Sequence, residues 1–261
     1  MSRTALVTGS SSGIGRATAG LLLSRGYRVF GTSRSAREVP GVEMLRLDLT
    51  DPGSVEALAP VLGDVDVLVN NAGESQSAPF EELPGDMLRR LFETNVFGPV
   101  RLAQLALPGM RERGYGRVVM VGSMLASFPL AYRSAYGASK AAIRGFADGA
   151  RHEFSPFGVW LTTVEPGAIA TGISERRTTF VAPDSPHGPD FATMLAALQR
   201  NERAGIPPGR VAATILKAIE DQKPRRRYAV GSRAPLVFAL RRLLPAAVLE
   251  RGTHRLHDLP R

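Results

Sequence analysis

Tyr136 and Lys140 stand four residues apart in a segment with helical residue spacing, so both side chains are expected on one helix face. A phenol can give or take a proton, but the pKa of a free tyrosine is about 10, too high for ready exchange at neutral pH. A lysine ammonium nearby favours the phenolate electrostatically. The pair therefore predicts a general acid and base.

Two further polar residues precede this pair. Ser123 ends a predicted buried strand, and Asn95 lies inside a long predicted helix. A serine hydroxyl at a strand end can hydrogen-bond a substrate oxygen and stabilise the negative charge that develops on it. Each residue alone has an ordinary structural explanation. Their joint presence is more specific, and the candidate catalytic residues are Asn95, Ser123, Tyr136 and Lys140.

A glycine-rich turn, TGSSSGIG, runs from Thr8 to Gly15 between the first predicted strand and the first predicted helix. Glycines allow the backbone to approach a pyrophosphate, and the first N–H groups of the helix can bind its negative charge. The turn therefore predicts a dinucleotide site. Its candidate residues are Gly9, Ser11, Ser12, Gly13, Ile14 and Gly15.

The end of the second predicted strand indicates which dinucleotide is preferred. Sites that favour NAD usually place an acidic side chain there, on the ribose 2′-hydroxyl. Residues 30–34 contain no acid, whereas Ser33 and Arg34 can both bond to a 2′-phosphate. The predicted cofactor is NADP(H).

Short β-branched apolar runs alternate with helical patterns over the N-terminal two thirds of the chain, which is typical of βαβ units. The strands are predicted at 5–8, 28–32, 43–47, 66–70, 117–122, 160–165 and 227–230. The helices are predicted at 14–24, 54–62, 86–113, 135–154, 191–204 and 209–221. The fold class is therefore α/β, a Rossmann-type doubly wound parallel sheet of seven strands with helices on both faces.

In order and spacing, these motifs resemble the short-chain dehydrogenase/reductase family over about residues 3–230. The matching pieces are the Thr8–Gly15 turn, Asp48, Asn70-Asn71-Ala72-Gly73, Asn95, Ser123, Tyr136, Lys140 and Pro166-Gly167-Ala168-Ile169-Ala170-Thr171. The resemblance implies an oxidoreductase that transfers a hydride between a nicotinamide cofactor and a carbonyl or alcohol group. Tyr136 would be the acid for reduction and the base for oxidation.

The resemblance also implies positions for further residues on the cofactor. Asp48 would contact the adenine, Asn70 and Ala72 would line the adenosine side, and Ile169 and Thr171 would hold the carboxamide. Lys140 would position the nicotinamide ribose, and Asn95 would hold a water that relays protons to Lys140. The expected cofactor residues of this kind are Asp48, Leu49, Asn70, Ala72, Gly73, Tyr136, Lys140, Pro166, Gly167, Ile169 and Thr171.

Residues 1–233 are predicted to form one catalytic domain, with an irregular substrate loop at about 171–190 that is rich in proline and glycine. The predicted substrate pocket is formed by Ser123, Leu125, Ala126, Tyr132 and Phe180. Residues 234–261 form a basic and apolar extension whose sequence resembles that of the hydroxysteroid and retinol dehydrogenase branch of the family. A lid or a packed helix is favoured for this extension; the other interpretations are a contact with a partner subunit and a peripheral membrane contact.

The chain of 261 residues carries 33 Lys and Arg against 24 Asp and Glu, a formal charge of +9. Residues 223–261 contain 10 basic and 2 acidic residues, so +8 of this charge belongs to the C-terminal segment and +1 to the rest. Basic residues diluted through an apolar tail do not favour nucleic-acid binding. With no cysteine, the chain can form no disulfide, thiolate metal site or iron–sulfur cluster, and the four histidines suggest no metal site.

No apolar stretch is long enough for a membrane span, and the first strand begins too near Met1 for a signal peptide. A cytoplasmic location is therefore expected. The function predicted is reduction of a hydrophobic ketone or aldehyde, with steroid- and retinoid-like compounds as candidates, or oxidation of a secondary alcohol. The alternatives are 3-oxoacyl thioester reduction and a non-catalytic NADP-binding sensor or scaffold. By family resemblance, a homodimer or homotetramer is expected.

Overall fold

Seven parallel strands form the central sheet of the computed structural model, which describes residues 2–35 and 37–259. Their bounds are β1 Thr4–Thr8, β2 Arg28–Ser33, β3 Glu43–Arg46, β4 Val67–Asn70, β6 Gly116–Val121, β7 Val159–Pro166 and β9 Arg227–Val230. The order across the sheet is β3-β2-β1-β4-β6-β7-β9. Two short strands, β5 Gln76–Ser77 and β8 Thr178–Thr179, pair in parallel outside this sheet.

The central strands are apolar throughout because both sheet faces are covered. Leu68 packs into a hydrophobic cluster on one face, while Val67 and Val69 pack into another on the opposite face. Successive residues of a strand point to opposite faces, so a continuous Val-Leu-Val run supplies both clusters at once. The predicted Rossmann-type sheet with helices on both sides is confirmed.

The helices lie between the strands, and two follow the last one. Their bounds are α1 Gly13–Ser24, α2 Pro52–Glu56, α3 Ala59–Asp64, α4 Gly85–Phe92, α5 Gly98–Glu112, α6 Ser134–Phe154, α7 Gly188–Arg203, α8 Pro208–Glu220, α9 Ala234–Leu240 and α10 Ala246–Arg255. Helices α1 and α8 pack together against one face of the sheet, and α3, α5 and α6 cover the other.

Two predicted helices are divided in the structure. The segment predicted as one helix at 54–62 forms α2 and α3, with Pro60 in the first turn of α3, because a proline lacks the N–H that would continue the preceding helix. The segment predicted at 86–113 forms α4, a π-helical turn at Glu93–Phe97, and α5. The helical pattern extends through all three, which is why the sequence shows no break there.

The strand order runs outward in opposite directions from β1 and from β4, although the two strands are parallel. The loops after these two strands therefore border a crevice at their carboxyl ends. The glycine turn follows β1, and Asn71-Ala72-Gly73 follows β4. Ser123 comes two residues after the end of β6, the next strand along the sheet. The topology therefore gathers the predicted site at one edge of the sheet.

The segment predicted as an irregular substrate loop contains local structure. It forms a 3₁₀ turn at Ser174–Arg176 and strand β8, and it then enters α7. Three backbone N–H groups hold it in place, with Thr178 donating to Ser75 O at 3.0 Å, Phe180 to Ser77 O at 3.1 Å, and Ala182 to Glu82 Oε2 at 2.8 Å.

The C-terminal extension packs on the catalytic domain. The ring of Phe238 in α9 lies 5.1 Å from that of Phe128, and Leu259 is buried against Phe191 and Met194 of α7. Among the described helices, none is long and apolar enough to cross a membrane.

Candidate active site

The glycine turn has a backbone that other residues would strain. Gly9 and Gly13 have positive φ values of 66° and 54°. A Cβ on Gly15 would lie 2.3 Å from the carbonyl oxygen of Gly9, so the start of α1 packs directly on the turn. Ser12 is the N-cap residue of α1, but its side chain makes no capping hydrogen bond. The first N–H groups of α1 therefore suit a pyrophosphate, and the turn fits the expected dinucleotide.

Thr8 and Asn71 join the glycine turn to the loop after β4. The hydroxyl oxygen of Thr8 accepts hydrogen bonds from the backbone N–H groups of Asn71 at 3.0 Å and Ala72 at 2.9 Å. The Asn71 amide in turn donates to the carbonyl of Thr8 at 2.9 Å. These bonds set the spacing of the two loops, and Asn70, which is buried, ends β4 just before them. Our sequence prediction included Asn70 and Ala72 but not the bonds made by Asn71.

The adenosine side contains Asp48, which follows β3. Its carboxylate accepts hydrogen bonds from the backbone N–H and the hydroxyl of Thr50 at 3.0 and 2.7 Å. These bonds, with smaller contributions from Arg34 and Arg90, hold the pKa of Asp48 below its usual value. The exposed side chain of Arg34 lies just after β2, and the hydroxyl of Ser33 accepts from the backbone N–H of Arg37 at 3.2 Å.

Helix α6 carries Tyr136 and Lys140 on one face, as predicted. The Lys140 ammonium donates to the carbonyl of Val121 at 3.0 Å and lies 5.8 Å from the centroid of the Tyr136 ring. Burial lowers the pKa of Lys140, and the interaction with Tyr136 partly opposes that shift. Because the ammonium is enclosed, water does not screen its effect on the phenol as it would at the surface.

Ser123 begins the turn between β6 and α6. Its hydroxyl oxygen accepts a hydrogen bond from the N–H of Leu125 at 3.2 Å, which caps a 3₁₀ turn at Met124–Ala126. The first turn of α6 packs on this segment, since a Cβ on Gly137 would lie 3.3 Å from Leu125 O. The serine turn and the tyrosine helix are therefore held against each other, and the serine hydroxyl hydrogen can still point to a substrate oxygen.

Asn95 lies in the π-helical turn, a feature often found at functional sites. Its side-chain oxygen accepts from the N–H of Glu74 at 2.8 Å, and its amide donates to Glu74 O at 3.0 Å and to the Ser139 hydroxyl at 3.1 Å. A Cβ on Gly73 would lie 3.0 Å from the Asn95 oxygen and 3.4 Å from Lys140 Nζ. Asn95 and Lys140 therefore reach the same glycine from two helices.

The segment after β7 reaches back to the glycine turn. The Gly167 N–H donates to Val230 O at 2.8 Å, and buried Ile169 pairs with Ile206 in an isolated bridge. The side chain of Thr171 lies 3.4 Å from the position of a Cβ on Gly13. The Pro166–Thr171 segment predicted to hold the nicotinamide is thus placed beside the turn predicted to hold the pyrophosphate.

The predicted substrate pocket is only partly assembled. Leu125 and Tyr132 pack in one apolar cluster with Phe191 and Val181, and the rings of Tyr132 and Phe191 meet edge to face at 5.7 Å. Phe180 follows β8 and remains 38% exposed outside this cluster. Ala126, which ends the 3₁₀ turn, is half-buried and also lies outside it.

Arg133 is a site residue that the sequence prediction missed. Its guanidinium lies over the ring of Tyr136, with 4.2 Å between Cζ and the ring centroid, and its side chain is buried. The sequence does place Arg133 three residues before Tyr136, a spacing that could have suggested a contact. The chain contains 30 arginines, however, so this one did not stand out. The described part of the chain holds no cluster of three or more potential metal ligands.

Comparisons with known proteins agree with this geometry. A family model described as short chain dehydrogenase matches residues 3–181. The chain is 32% identical to 3-ketodihydrosphingosine reductase from Bacteroides thetaiotaomicron, with 90% of each chain covered. It is 31% identical to NADPH-dependent 3-dehydrocapnine reductase from Ornithobacterium rhinotracheale, with 95% of each covered.

A solved structure of a short-chain dehydrogenase from Streptomyces avermitilis has 35% identity and a TM-score of 0.78. It covers 96% of this chain, and this chain covers 91% of it. The matched motifs, the sheet order and the arrangement around Tyr136 all agree, and this chain belongs to the short-chain dehydrogenase/reductase family of oxidoreductases.

Proposed function

We propose that this protein is an NADPH-dependent oxidoreductase that reduces a hydrophobic ketone or aldehyde, or oxidises the corresponding secondary alcohol. The observation that carries the proposal is the placement of Lys140 between Tyr136 and the end of β6, at the same sheet edge as a glycine turn suited to a dinucleotide. This arrangement combines a proton donor, a fixed cation and a cofactor site at one sheet edge.

The protein residues supply the proton chemistry and the substrate orientation. When a carbonyl is reduced, Tyr136 gives its hydroxyl proton to the substrate oxygen, and the Lys140 ammonium stabilises the phenolate that remains. Ser123 donates a hydrogen bond to the same substrate oxygen while negative charge develops on it. Asn95 holds the Glu74 backbone and Ser139 in place around Lys140, where a proton relay by water would enter.

The cofactor residues support NADP(H). A bound nicotinamide dinucleotide supplies or accepts the hydride. Gly9, Gly13 and Gly15 form a turn suited to its pyrophosphate, and Arg34 places an exposed guanidinium after β2 where this segment has no carboxylate. A related reductase is named as NADPH-dependent, which agrees with this assignment.

Cofactor preference is tested with Arg34→Asp, which should reverse the ratio of kcat/KM for NADPH to that for NADH, because a carboxylate repels the 2′-phosphate. Arg37→Asp is a matched control three residues away. An unchanged ratio in Arg34→Asp contradicts the assignment of Arg34.

An apolar substrate is supported by the cluster of Leu125, Tyr132, Val181 and Phe191 next to the serine turn. The test is a panel of steroid, retinoid and aryl ketones, their alcohols and a 3-oxoacyl thioester, followed at the nicotinamide absorbance. A higher kcat/KM on the thioester would favour the 3-oxoacyl alternative. Cofactor binding without turnover on any of these compounds would favour a sensor or scaffold instead.

We also propose a homodimer or homotetramer formed through α5 and α6. Phe97, just before α5, and Phe146 in α6 are each about half exposed, at 51% and 49%. Both exposed rings lie on or next to the helices through which the family resemblance predicts association. Light scattering after size exclusion should report a dimer or larger, and Phe146→Asp should reduce its mass.

The described part of the extension, residues 234–259, has exposed side chains that are both apolar and basic. Leu236 and Leu243 are 57% and 80% exposed, and the neighbouring Arg241 and Arg242 also face solvent. We propose that these side chains touch an anionic lipid surface, since the segment 223–261 carries a charge of +8.

Vesicles of phosphatidylcholine with added phosphatidylglycerol should sediment the protein, and neutral vesicles should sediment less of it. Leu243→Asp should weaken the binding. Phe157→Asp, a control at a half-exposed apolar side chain far from the tail in sequence, should not. Equal sedimentation of Leu243→Asp and the parent protein would exclude this contact.

A further inference from the structure

We propose that Arg133 is a positioning residue for Tyr136. It holds the ring and stabilises the phenolate, and it precedes Tyr136 in the chain whereas Lys140 follows it. This inference rests on the proposed function, in which Tyr136 transfers the proton. It adds a second cation to the site, supplied by the residue directly before α6.

Two cations lie beside the Tyr136 ring, one from the N-cap residue of α6 and one from within the helix. Arg133 precedes Tyr136 by three residues and Lys140 follows it by four, which places both beside the ring, one turn away in each direction. The guanidinium carbon of Arg133 lies 4.2 Å from the ring centroid, and the Lys140 nitrogen lies 5.8 Å from it. A guanidinium at this distance attracts the face of a neutral phenol, and it attracts a phenolate more strongly.

The backbone and hydroxyls after β4 hold the Arg133 guanidinium in place. Its Nη1 atom donates to Ser75 Oγ at 3.0 Å, to Gln76 O at 2.6 Å and to Ser77 Oγ at 3.1 Å. The side chain is 4% exposed. A cation fixed by three neutral acceptors cannot swing away from the ring without leaving them unsatisfied.

The charge of Arg133 is not matched by a carboxylate. Among the described residues it forms no ion pair, and its Nε atom has no hydrogen-bond partner. Burial lowers the pKa of Arg133 to about 10, so it still carries its charge near neutral pH. An unpaired buried cation is costly, and a Tyr136 phenolate would compensate it.

A second arginine in the same network shows the contrast. Arg177 Nε donates to the same Ser75 hydroxyl at 3.1 Å, but its guanidinium pairs with Glu202 of α7. Arg177 is therefore neutralised, whereas Arg133 is not. Glu202 also acts electrostatically on Arg133, less strongly than Arg177 does. A further titratable group near Arg133 is His257, whose pKa is lowered chiefly by burial and also by Arg133.

The proton balance in the reaction explains what Arg133 does. In reduction, the carbonyl carbon of the substrate receives the hydride. The O–H bond of Tyr136 breaks, and a new O–H bond forms on the substrate oxygen. Lys140 and Arg133, the two cations beside the ring, both attract the negative charge left on the phenolate. In oxidation, the same phenolate must already be present to accept the proton, so this direction depends most strongly on both cations.

The test uses Arg133→Met, which keeps much of the length and removes the charge, and Arg133→Gln, which keeps an amide donor for the 75–77 loop. The midpoint of the pH profile of alcohol oxidation should move upward by roughly one unit in both, a tenfold change in the phenolate equilibrium. Arg133→Lys should recover part of this shift. The KM for the cofactor should change little.

The matched control is Arg177→Met, which loses the same contact with Ser75 but has no contact with the Tyr136 ring. It should raise the substrate KM through the loop it holds and leave the pH midpoint unmoved. An unmoved midpoint in a folded Arg133→Met protein would overturn the proposal and leave Arg133 a structural residue.

A second measurement does not require a substrate. The phenolate absorbance of the parent protein minus that of Tyr136→Phe follows the ionisation of this tyrosine alone. Its midpoint should rise in Arg133→Gln relative to the parent, and coincident curves would contradict the proposal. If the absorbance shifts but no carbonyl compound is turned over, the positioning role stands and the proposed function fails.

Discussion

The Lys140 ammonium donates a hydrogen bond to the backbone carbonyl of Val121 at 3.0 Å. Val121 ends β6 and is two residues before Ser123. One hydrogen bond therefore ties the cation of the tyrosine helix to the strand that carries the serine. The candidate catalytic groups are positioned by this link between a helix and a sheet, and not by helical spacing alone.

Tyr136→Phe removes the phenolic hydroxyl while keeping the ring that packs under Arg133. We expect kcat to fall by about 10² to 10⁴, because a positioned general acid contributes that much. The dissociation constant for NADPH, followed by fluorescence titration, should change little. Tyr115→Phe is the control, since Tyr115 precedes β6 at the opposite end of that strand and stacks with Arg3 and Arg117. Turnover within a few-fold of the parent enzyme in Tyr136→Phe would exclude Tyr136 as the acid.

Gly15→Ala tests the packing of α1 on the glycine turn. The new Cβ would lie 2.3 Å from Gly9 O and 2.5 Å from the Asn71 amide, so backbone atoms of the turn would have to move. We expect at least a tenfold weaker affinity for NADPH and a lower Tm. Gly20→Ala in the same helix has no atom within 4 Å of its Cβ and should gain roughly 0.5 to 1 kcal/mol of stability. Equal NADPH affinity in the two variants would show that the turn does not bind the cofactor.

Glu165→Gln tests a carboxyl that is fully buried at the end of β7. Neither of its oxygens has a hydrogen-bond partner in the described residues, and Arg144 and Arg227 lie 3.6 and 3.9 Å away. Burial raises the pKa of Glu165 above its ordinary value of 4.5, with the two arginines partly opposing the shift. The protonated form is thus favoured in the fold. Its contribution to stability is full below pH 4.5 and is lost as the pH rises through the folded-state pKa.

The measurement is urea unfolding of the parent protein and of Glu165→Gln at a series of pH values. The free energy of unfolding of the parent should fall relative to that of the variant as the pH rises above about 4.5. Acids with a lowered pKa, such as Asp48, stabilise both proteins equally and lose that contribution on acidification. Their effect therefore cancels in the difference between the two free energies of unfolding. Curves that stay parallel across this range would contradict the prediction.

A double-mutant cycle at Phe128 and Phe238 tests the packing of the tail on the serine turn. The rings lie 5.1 Å apart, edge to face, and Phe128 follows the 3₁₀ turn that begins after Ser123. With leucine at each position, the coupling energy from urea unfolding should be about 0.5 to 1.5 kcal/mol. Strictly additive effects would mean that the tail is not held by this pair.

Several positions show why the sequence could predict part of the site. Tyr136 and Lys140 share a helix, and Gly9, Gly13 and Gly15 share a turn, so their relation depends on local geometry that residue spacing reports directly. The seven-strand parallel sheet was predictable because the helical and strand periodicities differ and the buried strands are continuously apolar. These features require no knowledge of long-range contacts.

The rest depends on contacts between residues distant in the chain. Arg133 meets Ser75 and Ser77, and Arg177 reaches the same Ser75 hydroxyl from 102 residues away. We predicted Phe180 as a pocket residue because it lies in the irregular loop at about 171–190. With β5 paired to β8, Phe180 lies outside the cluster of Leu125 and Tyr132. No local pattern encodes such distances, since they follow from how the loops close over the sheet.

The sequence by itself therefore determined the fold class and the positions of the glycine turn and of the candidate pair Tyr136 and Lys140, because each depends on periodicity or on spacing within one element. Only the tertiary structure decided that an unpaired guanidinium lies on the Tyr136 ring, that the serine turn packs on α6, and that the tail has one packed and one exposed face. The physical reason is that burial, and the pairing or isolation of a charge, are properties of the assembled chain.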